Sequence, residues 1–420
     1  MIAYQNLPAS QPVRLLLLLV AVGFCIWTIL AAANFGISRL LARYALATRN
    51  LEVARMATDL TPADAHAHHT AATILGLQGS PDQTLAALEK AVALRPSDYT
   101  LWMAVGLTRD QLGNAAGALA AFDEAVRRAP FYARPRWQRG NVLLRSGQYE
   151  AAFKDLNEAA QSNPELIPMV VDLAWNVSQR DPALTEKLAQ IQTPRMRIAF
   201  AKLLAREGKA PEAVAQLKAA GDIGDEIRGA LVQQLLAKGS YSEAYEVWKN
   251  ATGSGPVGEA LIYDGGFEGP LTLNEKGFGW RVASESKGHR LSLDNTNRNS
   301  GTKSLLINFQ GESASPLLSQ LVMVEPSGRY KVNFAARSKD IVSGGPPLAV
   351  VTDASSGERL GQSTTLVKGS DGWRIISFEF NATPKTNAVV ITVEREACTT
   401  SLCPIFGSLS LDSFSMERVK

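Results

Sequence analysis

Four prolines, Pro62, Pro96, Pro130 and Pro164, stand 34 residues apart, each at the same phase of a helical pattern. Gly79, Gly113 and Gly147 recur at the same 34-residue step. A period of this length is one helix–turn–helix unit per repeat. No unit can bury its apolar face alone, so successive units must stack into a superhelix. Each proline ends a second helix, because it has no N–H to continue the ladder. Each glycine marks the turn between helices, where it tolerates positive φ. A stack of this kind holds other molecules in its groove and points to a scaffold or adaptor, not a catalyst.

Trp102, Val105, Gly106 and Arg109 are followed by Ala118, Phe122, Ala125 and Pro130. This series closely resembles the tetratricopeptide repeat, whose pattern runs Trp, Leu-Gly, Tyr, then Ala, Phe and Pro. Arg109 departs from it, standing where the family has an aromatic. One repeat later come Gly140, Leu143, Ala152, Leu156, Ala159 and Pro164, with Arg136 at the tryptophan place. One repeat earlier come Ala72, Leu75, Leu88, Ala91 and Pro96, with His68 at that place. Ala57 and Pro62 read as the second helix of a partial repeat. Gly106 and Ala118 let paired helices approach closely, while Phe122 and Ala125 fill the seam to the next pair. After Pro164 the register decays into a shortened unit with Trp175 and Leu184, then two further helical pairs. Five to six pairs are expected over residues 37–251.

The resemblance implies that the first helix of each pair lines a concave groove. The residues it would place there are His66, His69 and Thr73, then Met103, Leu107 and Asp110, then Arg134, Trp137, Asn141 and Arg145. The last set mixes an indole, two guanidinium groups and an amide, which suits an acidic or C-terminal segment of a protein partner. The same positions also suit a solvated helix face. His66 and His69 share a helix face, but metal-binding histidine sets bring a third ligand at defined spacing.

Residues 1–14 form a short tail, followed by Leu15–Ala33, which reads LLLLLVAVGFCIWTILAAA without a charge or proline. At about 1.5 Å per residue these 19 residues span roughly 28 Å, close to the hydrocarbon thickness of a bilayer. A transmembrane anchor over residues 15–34 is expected. The rival is a cleaved signal peptide, with Arg14 as its basic flank and Ala31-Ala32-Ala33 as the cleavage site. Arg39, Arg43 and Arg49 follow the span, and the positive-inside rule taken literally puts them in the cytoplasm.

Composition shifts to glycine and proline at residues 252–260, a linker. Beyond it, over residues 261–420, helical periodicity gives way to alternation. Strands are expected at 290–293, 303–309, 319–324, 328–336, 348–352, 372–380, 388–394 and 408–417. Eight strands at this spacing read as an antiparallel sandwich of the jelly-roll type. The whole chain is therefore multidomain: a transmembrane helix, an all-α superhelix and an all-β sandwich. Cys398 and Cys403 flank four residues and can close a small disulfide loop, which persists in an oxidising compartment. That favours a periplasmic location for the soluble domains of a single-pass bacterial inner-membrane protein.

Asp264-Gly265-Gly266-Phe267-Glu268, Gly279-Trp280, Ser300-Gly301-Thr302-Lys303-Ser304, Gly372-Trp373 and Leu411-Asp412-Ser413-Phe414 follow one another in order. The set resembles the carbohydrate-binding jelly-roll modules attached to polysaccharide-active enzymes. The resemblance implies sugar binding, with Trp280, His289, Arg290, Asn295, Asn297 and Arg337 as glycan contacts. Phe267, Trp280, Trp373 and Phe414 also match places where the family fills its core. Related modules hold a structural calcium ion, and Asp264, Glu268 and Asp412 would supply hard oxygen ligands for it. The alternative for these carboxylates is turn capping.

Net charge is +3 and charged residues make up 20%, without the concentrated basic patches of a nucleic-acid binder. The sequence holds no G-x-S-x-G, H-E-x-x-H or phosphate loop. These features together predict a non-enzymatic envelope scaffold. Its repeats bind a protein partner, its sandwich contacts glycan, and the whole supports surface polysaccharide (exopolysaccharide) assembly or export. The alternative is a pure interaction factor that stabilises a membrane complex.

Overall fold

The structure, a computed structural model, describes residues 11–252, 261–271, 275–282, 288–312, 316–366, 372–398 and 403–419, with residues 11–14 and 250–252 described by their backbone alone. The predicted linker lies, from residue 253 onward, outside the described residues, as does the tail over residues 1–10. The chain packs as two compact units, Met1–Gln190 and Ile191–Lys420.

The first unit is all helical. Helix α1 (Gln11–Thr48) runs unbroken through the apolar stretch into the repeats. An 18-residue window within Leu15–Thr48 has mean hydropathy 2.7 and is wholly exposed, so the helix is long and apolar enough to cross a membrane. Its far end is different: Ser38, Ala42 and Ala45 are buried, and Ser38 Oγ donates to the Ala57 carbonyl at 2.9 Å. There α1 pairs with α2 (Leu51–Leu60). Three pairs in full register follow: α3 (Ala65–Leu77) with α4 (Pro81–Leu94), α5 (Tyr99–Gln111) with α6 (Ala115–Arg128), and α7 (Ala133–Arg145) with α8 (Tyr149–Ser162).

The expected punctuation is what sets this register. Thr61, Arg95, Ala129 and Asn163 each precede a proline and sit at φ between −132° and −137°, because proline excludes the preceding residue from the helical region. Gly79, Gly113 and Gly147 sit at φ +73°, +76° and +75°. Close helix approach follows from Gly106 and Gly140: a Cβ at Gly106 would lie 2.6 Å from Phe122, and one at Gly140 2.9 Å from Leu156. Phe122 and Leu156 are fully buried. After a 3-10 turn at Pro164–Leu166 the pattern shortens. Helix α9 (Ile167–Val177) pairs with α10 (Pro182–Ala189), which has eight residues where α4, α6 and α8 have 14.

The second unit opens with α11 (Pro194–Arg206), α12 (Ala210–Ala220), α13 (Asp225–Ala237) and α14 (Tyr241–Thr252). With α1–α2 included, the described residues form seven helical pairs, more than the five to six expected. Two antiparallel five-stranded sheets follow. One sheet has the order β1-β4-β9-β6-β7, with β1 Arg281–Val282, β4 Leu318–Met323, β6 Pro347–Asp353, β7 Arg359–Gln362 and β9 Ala388–Arg395. The other has the order β2-β3-β10-β5-β8, with β2 His289–Asp294, β3 Ser304–Gly311, β5 Arg329–Ser343, β8 Arg374–Asn381 and β10 Ile405–Val419. All eight expected strands are present. β1 and β7 are too short to show alternation and escape a sequence reading.

The core between the sheets is built from inward residues such as Leu305, Ile307, Val332, Phe334, Ile391, Val393, Leu409 and Leu411. Within this unit α14 docks on the sandwich. Trp248 packs against Tyr263 and Phe278, with ring centroids 5.0 and 5.7 Å away, and its Nε1 donates to Glu275 Oε1 at 3.1 Å. Gly277 makes room for that ring, since a Cβ there would overlap the indole.

Candidate binding surfaces

The repeat residues expected at the groove divide. His66 and Arg134 are exposed, and His69 and Trp137 are half-buried. Burial holds the His69 pKa below its ordinary value, and the neighbouring His66 adds to that. Met103 is 4% exposed and belongs to the packing of α5, so it is not a groove residue. Asn141 turns back on its own helix, its Nδ2 donating to the Trp137 carbonyl at 2.8 Å. Asp110 and Arg145 come together: Arg145 Nη2 donates to Asp110 Oδ2 at 2.6 Å, joining α5 to α7 across one repeat.

A feature that the pattern did not reveal is a cleft of about 1240 Å³ along α8, lined by Phe131, Arg136, Tyr149, Lys154, Asn157 and Gln190 among others. Phe131 is 86% exposed. Asn157 is buried, its Nδ2 donates to the Leu188 carbonyl at 3.2 Å, and its Oδ1 accepts no hydrogen bond. The shortness of α10, foreshadowed by the loss of register after Pro164, accompanies this opening. Arg136 and Arg139 are also engaged at α8. Arg139 grips Asp155 with two bonds of 2.5 and 2.6 Å, and this holds the guanidinium pKa above its ordinary value.

In the sandwich the glycan candidates separate by sheet face. Trp280 is 5% exposed and packs on Phe267 and Phe414, with its Nε1 donating to the Asp264 carbonyl at 2.9 Å. It is a core residue, not a sugar platform. His289 is also buried, opposite Phe309 on the inner side of β2. Burial holds its pKa below the ordinary value. Trp373 is half-buried just before β8 and lies outside the core cluster that holds Phe267, Trp280 and Phe414. Arg290, Asn295 and Asn297 are exposed, and Arg337 is half-buried. Arg337 Nη1 donates to Asn297 Oδ1 at 2.8 Å, and Asn297 Nδ2 donates to Asp294 Oδ2 at 3.0 Å. The hydroxyl of Thr296 and the Asn297 amide hold the Asp294 pKa down at about 2.

Asp264, Glu268 and Asp412 each cap a turn. Asp264 accepts the amides of Glu268 and Gly269 at 2.8 and 3.1 Å. Glu268 accepts the Thr302 amide at 2.7 Å and its hydroxyl. Asp412, fully buried, accepts the amides of Asn299 and Ser300 at 2.7 and 3.0 Å. Glu268 and Asp412 approach each other: a Cβ on Gly266 would lie 3.9 Å from Glu268 Oε1 and 3.8 Å from Asp412 Oδ1. Among the described residues no group of three or more His, Cys, Asp or Glu is gathered to hold a metal ion. Cys398 and Cys403 are disulfide-bonded, with Cα atoms 6.1 Å apart.

Comparison with known proteins matches these two parts. Residues 70–133 and 106–167 match the tetratricopeptide repeat model, and residues 259–401 match that of a carbohydrate binding domain. Over 111 residues the chain is 29% identical to Protein FlbA of Caulobacter vibrioides, a match covering 26% of this chain and 19% of that protein. The chain thus spans about a fifth of the length of the curated relative it matches. Among solved structures, MamA of Desulfovibrio magneticus RS-1 is 18% identical, with a TM-score of 0.34 over 42% of this chain and 96% of that one. TmCBM61 in complex with β-1,4-galactotriose is 21% identical, with a TM-score of 0.28 over 38% of this chain and 99% of that one. The chain therefore carries tetratricopeptide repeats in its N-terminal half and a domain of the carbohydrate-binding family at its C-terminus.

Proposed function

We propose that this chain is a non-catalytic, membrane-anchored scaffold of the bacterial envelope. The apolar part of α1 holds it in the inner membrane, and the repeats and sandwich lie in the periplasm. The repeats grip a protein partner and the sandwich contacts glycan, so the assembly supports the building or export of a surface polysaccharide. One observation carries the reading: a repeat array and a sandwich with a polar, partly cationic outer face (Arg290, Asn297, Arg337) share one chain behind one apolar helix. The disulfide supports export, because such bridges persist in oxidising compartments.

The protein partner has two surfaces to use. The first helices offer Arg134 and Trp137 beside the Asp110–Arg145 pair. The cleft on α8 offers Phe131, Tyr149 and the unpaired acceptor of Asn157.

The glycan half is tested by offering the detergent-solubilised full chain to a broad panel of immobilised polysaccharides. Retention that weakens in Arg337→Ala supports it, and no retention on any member overturns it. A second reading, a pure protein-interaction factor, is favoured by the burial of Trp280, which removes the expected stacking ring from the surface. Co-purification of a stoichiometric membrane partner, with no polysaccharide retained, would select it.

A further inference from the structure

We infer that the outer face of the β2-β3-β10-β5-β8 sheet binds an acidic polysaccharide. This rests on the glycan reading above and names its ligand class. The register of the sheet sets Arg290, Asn308, Ser408 and Lys339 in one row across β2, β3, β10 and β5. Their strand neighbours Leu291, Ile307 and Leu409 pack into the core, and Ser338 is buried, so the four residues of the row face outward. At about 4.8 Å between strands the row is about 14 Å long. Its two ends, Arg290 and Lys339, are exposed.

The adjoining row places Arg337 opposite Ser410. Arg337 is aimed by Asn297, which in turn binds Asp294. The same turn fully engages Asp294, whose Oδ1 accepts the Thr296 and Asn297 amides and the Thr296 hydroxyl. That carboxylate is therefore occupied locally, while Asp340 lies on the bulge after Lys339. On the other side of the cationic row, Phe406 and Val342 pair across β10 and β5 and are 49% and 70% exposed. A ring beside a line of cations offers a sugar both an apolar platform and partners for its charge. Among the described residues no ion pair engages Arg290, Arg337 or Lys339, and a neutral glycan would supply none. A polyuronate presents carboxylates that guanidinium groups bind in bidentate fashion.

The test uses the full chain in detergent against immobilised alginate and polygalacturonate, a neutral β-glucan, a neutral galactan and a DNA oligonucleotide. The expected result is retention on the acidic polysaccharides. It should weaken steeply as salt rises toward about 0.15 M and fall about tenfold or more in R290A/K339A. Lys385→Ala, on an exposed turn after β8, serves as the charge control and should bind like the parent. Retention on the neutral polysaccharides alone overturns the acidic assignment and leaves the glycan reading standing. Retention on none overturns both. Equal retention on DNA and acidic glycans, or unchanged retention in the double variant, also overturns the assignment.

Discussion

Trp102 donates its indole N–H to the carbonyl oxygen of Pro96 at 2.9 Å. The same tether recurs one repeat on each side, with different chemistry: the His68 Nε2 meets the Pro62 carbonyl at 2.9 Å, and the Arg136 Nε donates to the Pro130 carbonyl at 3.2 Å. Proline has no N–H, but its carbonyl still needs a donor where one helix ends and the next begins. The tryptophan place of the repeat is therefore a donor place, which Trp, His and Arg all satisfy. Trp102→Phe keeps an aromatic ring on the face where Arg128 stands, 4.9 Å from the indole centre, and removes the indole donor, leaving Arg128 Nε as the remaining donor to the Pro96 carbonyl. The expected loss is about 1 kcal/mol, read from denaturant unfolding followed by helical circular dichroism.

Gly106→Ala should cost more than its single methyl suggests. The added carbon would lie 2.6 Å from the fully buried Phe122 ring, so the ring or the helices that hold it must shift. Overpacking of this kind costs about 1–3 kcal/mol. Adding Phe122→Leu should recover part of the loss if the clash is its cause. A double variant no more stable than the sum of the two single losses would refute the clash.

Asp155 is 3% exposed and is held by two bonds from Arg139. Removing the carboxylate leaves a guanidinium that is only 22% exposed without its main partner, although Asp123 still accepts from it at 2.7 Å. Asp155→Ala should therefore lose about 3 kcal/mol, toward the lower end for breaking a buried pair. Asp155→Asn, which keeps an acceptor, should lose clearly less. Equal losses in the two variants would mean that the charge is irrelevant.

The repeats were legible because their register is written in backbone-determining residues. Pro62, Pro96, Pro130 and Pro164 force the preceding residue out of the helix, and the three turn glycines take positive φ. The strands were legible through alternation, and β1 and β7 were missed because two and four residues carry too little of it. The sites were less legible. Sequence spacing places a residue on an element but not on a side of it. Trp280 and Arg290 are both near the start of the sandwich, yet one fills the core and the other faces out. Met103 fits the groove by helical phase, but it is buried. The Arg290–Lys339 row joins residues 49 positions apart through two intervening strands, and only the sheet order reveals it.

His289 gives the sandwich a pH dependence with a definite sign. The residue is 2% exposed, and burial holds its pKa below 6.5 in the folded state. The unfolded chain takes the proton near 6.5, while the folded chain does so only at lower pH. Stability from this group is therefore complete above about pH 6.5 and falls as the pH drops below it. Thermal midpoints of the parent chain should fall faster than those of His289→Gln between pH 7 and pH 5. Parallel curves would place the sensitivity elsewhere.

Topology can be decided by alkaline phosphatase fused after Lys420, a reporter active only where its own disulfides form. Arg39, Arg43 and Arg49 follow the apolar stretch, and by count they favour a cytoplasmic C-terminus. The structure weakens that count, because α1 continues without a break into the first repeat and Arg39 lies 3.8 Å from the Asp64 carboxylate. Arg39 at least is placed to serve the repeat surface. The disulfide between Cys398 and Cys403 argues for the opposite side. High phosphatase activity is expected, together with a mobility shift of the chain on reduction that C398S abolishes. An inactive fusion of full length would place the sandwich in the cytoplasm, where the bridge would not persist. The positive-inside count would then outweigh the cysteine pair.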